Sequence, residues 1–76
     1  MIVRNMDRPG CITEVSAALS REKINVATMQ VFRHKRGGLA VMVVETDQSI
    51  PENVVAELKM KEDILEVISL NLEEGR

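Results

Sequence analysis

The feature that most constrains this chain is a hydrophobic periodicity that changes from strand-like to helix-like twice within 76 residues. Residues 2–4 form a short β-favouring segment, and residues 5–10 contain several chain-turning residues. Apolar residues then recur at i, i+3 and i+7, as in an amphipathic helix, and a proline fits the first turn of such a helix. We therefore expect a strand followed by a helix that begins near Pro9 and runs to about Glu22.

The rest of the chain predicts two more strands, a second helix and a last strand. Residues 24–33 are rich in β-branched side chains with partly clean alternation, and two glycines at 37–38 separate them from residues 39–46. Because residues 39–46 are apolar on both faces, this pattern indicates a hairpin leading into a buried central strand. The sequence Ser-Ile-Pro-Glu at 49–52 matches a capping box at a helix start, and residues 64–72 alternate like a strand.

The order strand, helix, strand, strand, helix, strand predicts an α+β fold of the ferredoxin-like βαββαβ type. In this fold a four-stranded antiparallel sheet carries both helices on one face. We expect a single domain over residues 1–72 and a frayed C-terminal tail at residues 73–76. A chain this short buries only roughly 60% of the surface that its unfolded form exposes, so we expect a partner or a second copy to help stabilise it.

The composition excludes several classes of protein. The longest apolar run is six residues, 39–44, whereas a membrane-spanning helix needs about 20, so we expect no membrane partner. The net charge of −2 and the single aromatic residue, Phe32, argue against a nucleic-acid partner. The lone cysteine cannot form an internal disulfide, which makes the cytoplasm the expected location.

Catalytic and metal-binding residues are scarce in this sequence. A nucleophile needs a nearby base, but Cys11 and His34 lie in different predicted elements and nothing in the sequence brings them together. One cysteine and one histidine cannot furnish a tetrahedral metal site. A small enzyme such as an acylphosphatase is disfavoured, because no arginine and asparagine pair has the spacing of that family. We therefore expect no catalytic residue and no metal ligand in this chain.

A basic cluster occupies the predicted hairpin between the second and third strands. It consists of Arg33, His34, Lys35 and Arg36. The cluster could contact a phosphate or an acidic partner, but a solvated hairpin that protects an edge strand from aggregation is the favoured interpretation.

The segment between the first strand and the first helix predicts a small-molecule site. Asn5 and Asp7 place short polar side chains at the strand end, and Gly10 opens the helix. Free N–H groups of Gly10, Cys11 and Ile12 at the positive end of the helix dipole could bind a carboxylate. Asp7 could accept a hydrogen bond from an ammonium group, so the combination suits an amino acid. The alternative is that these residues form only a capped turn.

These residues resemble the ACT domain, a family of small amino-acid-sensing modules with βαββαβ architecture. The resemblance rests on Asn-Met-Asp-Arg-Pro-Gly-Cys-Ile at 5–12, Ile-Asn-Val-Ala at 24–27, the two-glycine hairpin and the apolar strand that ends in Glu45. It covers essentially the whole chain. The turn sequence paired with the opening of the second strand is the most specific part.

Within this family, residues 39–45 and 47–50 resemble most the C-terminal domain of the β chain, or β-like part, of bacterial iron–sulfur-dependent L-serine dehydratase. The resemblance implies a parent lyase that converts L-serine to pyruvate and ammonia and so contributes to gluconeogenesis. It also implies that a 4Fe-4S cluster belongs to the catalytic part of that parent, outside this domain, and that this chain binds no cofactor itself.

The family binds its amino acid between two domains, which implies a homodimer with L-serine as the favoured ligand. By position, the ligand-binding residues are Asn5, Asp7, Gly10, Cys11 and Ile12 of one copy and Asn25 of the other. The serine-binding domain of phosphoglycerate dehydrogenase is similar, but it has a histidine at the position of Asn5 and an asparagine at that of Asp7. These departures leave the identity of the ligand open.

Two functions remain for this chain before the structure is considered. The first is a regulatory domain in which an amino acid binds one arrangement of the enzyme better than another and shifts the equilibrium by that difference. The second is an assembly module of the same fold that pairs through edge strands and binds no ligand. Loss of a measurable amino-acid affinity in Asp7→Ala and Asn25→Ala would distinguish the first from the second.

Overall fold

The computed structural model describes residues 1–34 and 37–69, which form four strands and two helices. In chain order these are β1 (Ile2–Met6), α1 (Cys11–Arg21), β2 (Val26–Arg33), β3 (Leu39–Thr46), α2 (Glu52–Lys59) and β4 (Ile64–Ile68). The sheet has the strand order β2-β3-β1-β4, and every neighbouring pair is antiparallel. The predicted ferredoxin-like βαββαβ fold is therefore confirmed.

A single hydrophobic cluster joins the two helices to one face of the sheet. Its fully buried members alternate along the strands and recur at helical spacing along α1 and α2. They include Val3, Val15, Leu19, Met42, Val44, Val54 and Leu58. The opposite face of the sheet carries exposed apolar side chains, among them Phe32 and Leu39.

Strand β1 is longer and helix α1 starts later than the sequence predicts. Asn5 pairs with Ala40 of β3 and with Ile64 of β4, so the ladder holds the chain extended up to Met6. Gly10 then adopts a left-handed conformation with φ of 89°, which a glycine reaches without steric cost. This residue interrupts the helical path, so α1 begins at Cys11 rather than at Pro9.

The predicted capping box at the start of α2 is wrong. The helix begins at Glu52, and the residue before it, Pro51, is extended and makes no side-chain capping bond. Ile50 is buried in the core, and the residue before a proline avoids the helical region. Ser49 therefore lies too far from the first helical turn to cap it.

The predicted last strand is confirmed as far as Ile68, whereas residues 70–72 and the tail at 73–76 lie outside the described residues.

Within residues 1–34 and 37–69, no helix is long and apolar enough to cross a membrane.

Candidate functional site

A cleft of about 490 Å³ lies at the end of the sheet where β1 and β2 end. The loop from β1 to α1 forms one wall, and the last residues of β2 form the other. The lining residues are Asn5, Asp7, Arg8, Pro9, Gly10, Cys11, Ile12, Val31 and Arg33. The structure thus brings together all the predicted ligand-binding residues except Asn25.

Asn5 is the one buried polar residue of the described core, with 3% of its surface exposed. Its Nδ2 donates a hydrogen bond to the carbonyl oxygen of Met6 at 2.9 Å. Its Oδ1 accepts none from any described residue, although it is buried. Because an unsatisfied buried acceptor costs about 1–3 kcal/mol, this oxygen is suited to a hydrogen-bond donor that enters the cleft from outside.

The first turn of α1 supplies backbone donors beside Asn5. The amide of Cys11 donates to the carbonyl oxygen of Arg8 at 3.2 Å, so the expectation that this N–H is free is wrong. This hydrogen bond closes a tight turn from Arg8 to Cys11, just before the helix begins. The amides of Gly10, Ile12 and Thr13 donate to no other described residue. Of these three residues, Gly10 and Ile12 line the cleft, at the positive end of the helix dipole.

Asp7 and Arg33 form an ion pair at the mouth of the cleft. The Asp7 carboxylate lies 3.0 Å from Arg33 Nε and accepts a hydrogen bond from the Gly37 amide at 3.4 Å. The Asp7 amide donates to the carbonyl oxygen of Gly38 at 2.7 Å. The Asp7 side chain is 17% exposed, and that of Arg33 is 55% exposed. Asp7 is therefore tied to the hairpin as well as facing the cleft.

Strand β2 contributes residues to this site that the sequence does not predict. The sequence favours a solvated basic hairpin for Arg33 and places Val31 only within the second predicted strand. Both line the cleft because the end of β2 and the end of β1 lie beside the same part of β3, where Ala40 pairs with Arg33 on one side and with Asn5 on the other. Arg8 also lines the cleft, and its guanidinium lies 3.5 Å from the Asp63 carboxylate. Only the strand order and register, which bring the end of β2 to the end of the sheet where β1 stops, could have indicated Val31 and Arg33.

Asn25 lies at the opposite end of β2, outside the cleft. Its Nδ2 donates to the Asp47 carboxylate at 2.6 Å, and its amide donates to Gln48 Oε1 at 2.9 Å. Eight residues of strand, roughly 25 Å, separate it from the end of β2 that lines the cleft. Within one copy Asn25 cannot take part in the site.

The Cys11 thiol is held in its neutral form. Burial raises the pKa of this thiol above its ordinary value, and the neighbouring Asn5 side chain opposes the shift. Three nearby carboxylates raise it further: those of Glu14, Asp63 and Asp7. A thiolate is therefore not available at neutral pH for a nucleophilic step.

We expect this shift to appear as a loss of stability at high pH. Because the folded pKa is raised, the thiol favours folding fully below its ordinary value near 9 and progressively less as the pH rises through the folded value. Urea unfolding of wild type and Cys11→Ala at neutral and alkaline pH measures this difference. Wild type should lose more stability than the variant above about pH 9, and an identical pH dependence in both proteins would contradict the assignment.

Comparison with known families identifies the family of this chain. A family model described as "ACT domain" matches residues 1–59, and the chain belongs to the ACT domain family. It is an ACT regulatory domain by this membership.

Among the described residues, no group of three or more histidine, cysteine, aspartate or glutamate side chains could hold a metal ion.

Three curated proteins illustrate where related domains occur. The chain is 39% identical over 71 residues to "D-3-phosphoglycerate dehydrogenase" of Methanocaldococcus jannaschii, with 93% of this chain and 14% of that protein covered. It is 36% identical over 70 residues to two Bacillus subtilis proteins, "D-3-phosphoglycerate dehydrogenase" and "Probable L-serine dehydratase, beta chain". These matches cover 92% of this chain, and 13% and 31% of the two proteins. The chain thus spans less than a third of each relative.

Proposed function

We propose that this chain is the amino-acid-binding regulatory domain of an L-serine dehydratase. The observation that carries the proposal is the buried, unpaired Oδ1 of Asn5 beside the open first turn of α1. An α-amino acid offers an ammonium donor for that oxygen and a carboxylate acceptor for the helix amides. L-Serine is the first ligand to test because one relative is named for an enzyme of L-serine.

The two charged groups of the ligand have separate partners in the cleft. The ammonium group lies on the side of Asn5 and Asp7, whose oxygens accept hydrogen bonds. The carboxylate lies on the side of the amides of Gly10 and Ile12, at the positive end of the helix dipole. Cys11 forms the wall between them, since it is buried and lines the cleft.

A second copy completes the site in this proposal. Strand β2 is at the edge of the sheet, and its first seven residues carry no charge, which leaves it unprotected against pairing with another strand. Antiparallel pairing of β2 with β2 places the start of one strand beside the end of the other. Asn25 of the second copy then lies near Arg33 of the first, which accounts for its distance from the cleft within one copy.

Regulation follows from linkage between the ligand and the paired arrangement. A ligand that contacts both copies binds the pair better than the separate domains, and it shifts the equilibrium by that difference in affinity. The catalytic part of the parent enzyme holds the iron–sulfur cluster in this proposal, because a chain with one cysteine cannot supply its thiolate ligands. The domain contributes control and no chemical step.

Thermal unfolding followed by circular dichroism tests the proposal. At about 100 times the dissociation constant, L-serine should stabilise the fold by about 2.7 kcal/mol, a rise in midpoint on the order of 10 °C for a domain of this size. D-Serine and glycine serve as controls, followed by the other common L-amino acids. If a different L-amino acid raises the unfolding midpoint and L-serine does not, that amino acid is the ligand. No shift with any of them would contradict amino-acid binding.

The uncharged edge of β2 also supports a second candidate, an assembly module that pairs without a ligand. Sedimentation equilibrium with and without L-serine distinguishes the two. The regulatory domain should pair more tightly when L-serine is present. An assembly module should pair equally in both conditions and show no thermal shift.

A further inference from the structure

Arg33 carries donors that its ion pair with Asp7 does not use. The closest contact with Asp7 is made by Nε, at 3.0 Å, and a guanidinium has five N–H donors. The two terminal amino groups make no hydrogen bond to a described residue. They belong to a side chain that lines the cleft opposite the first turn of α1.

The ion pair also fixes where these donors lie. Asp7 is only 17% exposed and is anchored through its own amide to Gly38, so it holds the guanidinium from a rigid position. A planar fork held at one nitrogen presents its remaining donors in a defined direction, which suits two-point binding of a carboxylate. Arg8, the other arginine of the cleft, is held only by a longer contact of 3.5 Å to Asp63.

We infer that Arg33 binds the α-carboxylate of the amino acid and that Asp7 positions it for that role. The inference rests on the proposed function and adds a specificity-determining residue to it. The carboxylate is then shared between the guanidinium of Arg33 and the first turn of α1. Selectivity for a free α-carboxylate follows, since an uncharged amide in its place leaves the terminal amino groups of Arg33 without an anionic acceptor from the ligand.

A binding cycle that combines a protein change with a ligand change tests this role. L-Serine and L-serinamide are titrated by calorimetry into wild type and Arg33→Gln. The substitution should weaken the binding of L-serine by roughly 10- to 100-fold, because it removes a charged hydrogen-bond donor. It should change the affinity for L-serinamide by less than about 3-fold, because that ligand has no carboxylate to lose.

One further variant serves as a control. Arg4→Gln alters an exposed arginine that lies outside the cleft and pairs with Glu66 on β4. It should change L-serine affinity by less than about 3-fold. Thermal unfolding without ligand verifies that every variant folds, which is expected because the Arg33 side chain is 55% exposed.

The outcomes separate this inference from the proposed function. If wild type binds L-serine and Arg33→Gln binds it equally well, the inference is wrong and the regulatory function stands. If Arg33→Gln weakens the binding of L-serine and of L-serinamide equally, the inference is also wrong, because Arg33 would then act through the shape of the cleft and not through the carboxylate. If wild type binds neither L-serine nor any other common L-amino acid, both proposals fail together.

Discussion

Replacing Leu58 by alanine should remove about 3 kcal/mol from the free energy of unfolding. Leu58 is fully buried in α2, where it joins the single core cluster between the helices and the sheet. A domain of this size has a total stability of roughly 4–11 kcal/mol, so the loss is a large fraction of the whole. Urea unfolding followed by circular dichroism measures it.

Leu65→Ala is the matched control for this prediction. Leu65 is the same residue type on β4, but 49% of its surface is exposed. Its replacement leaves no enclosed cavity and should cost less than about 1 kcal/mol. Equal losses in the two variants would contradict the assignment of Leu58 to the core.

Replacing Asn5 by leucine should have different effects on stability and on ligand binding. Leucine has the same branched heavy-atom skeleton as asparagine; it removes a buried oxygen that has no partner among the described residues, and also the hydrogen bond from Nδ2 to the Met6 carbonyl oxygen. Because that carbonyl still accepts from the Arg8 amide, the free protein should keep its stability to within about 1 kcal/mol. Affinity for L-serine should fall by roughly 30-fold, or about 2 kcal/mol, because the ammonium group loses its acceptor.

Thermal unfolding of Asn5→Leu without ligand, and calorimetry with L-serine, measure these two effects. Asn5→Asp is the matched variant, because it keeps an oxygen acceptor at the same position. If Asn5→Leu is strongly destabilised while its L-serine affinity is unchanged, Asn5 holds the fold and the candidate site is elsewhere.

The fold could be predicted from the sequence because each element carries its own periodicity. The apolar strand 39–46 was placed at its observed bounds, since it lies at the centre of the sheet and is apolar on both faces. The start of α2 was placed wrongly, because the capping box is a local pattern and burial of Ile50 overrode it. Local rules failed where a tertiary contact decided the conformation.

Only one wall of the candidate site could be predicted from the sequence, the loop from β1 to α1, because its residues are contiguous in the chain. Asn5 and Gly10 lie within six residues of each other, so a loop before a helix was enough to indicate them. Val31 and Arg33 reach the cleft through the strand order of the sheet, which no local pattern encodes. The pairing of Asp7 with Arg33 likewise joins two segments that are distant in sequence.

The most direct test of the account is a titration of the ¹⁵N-labelled chain with L-serine, followed by two-dimensional NMR. The account predicts saturable shifts of the amides of Gly10, Ile12 and Thr13 and of the Asn5 side-chain amide. Shifts confined to the outer sheet face around Phe32 would contradict it. So would the absence of saturable shifts with L-serine and with every other common L-amino acid.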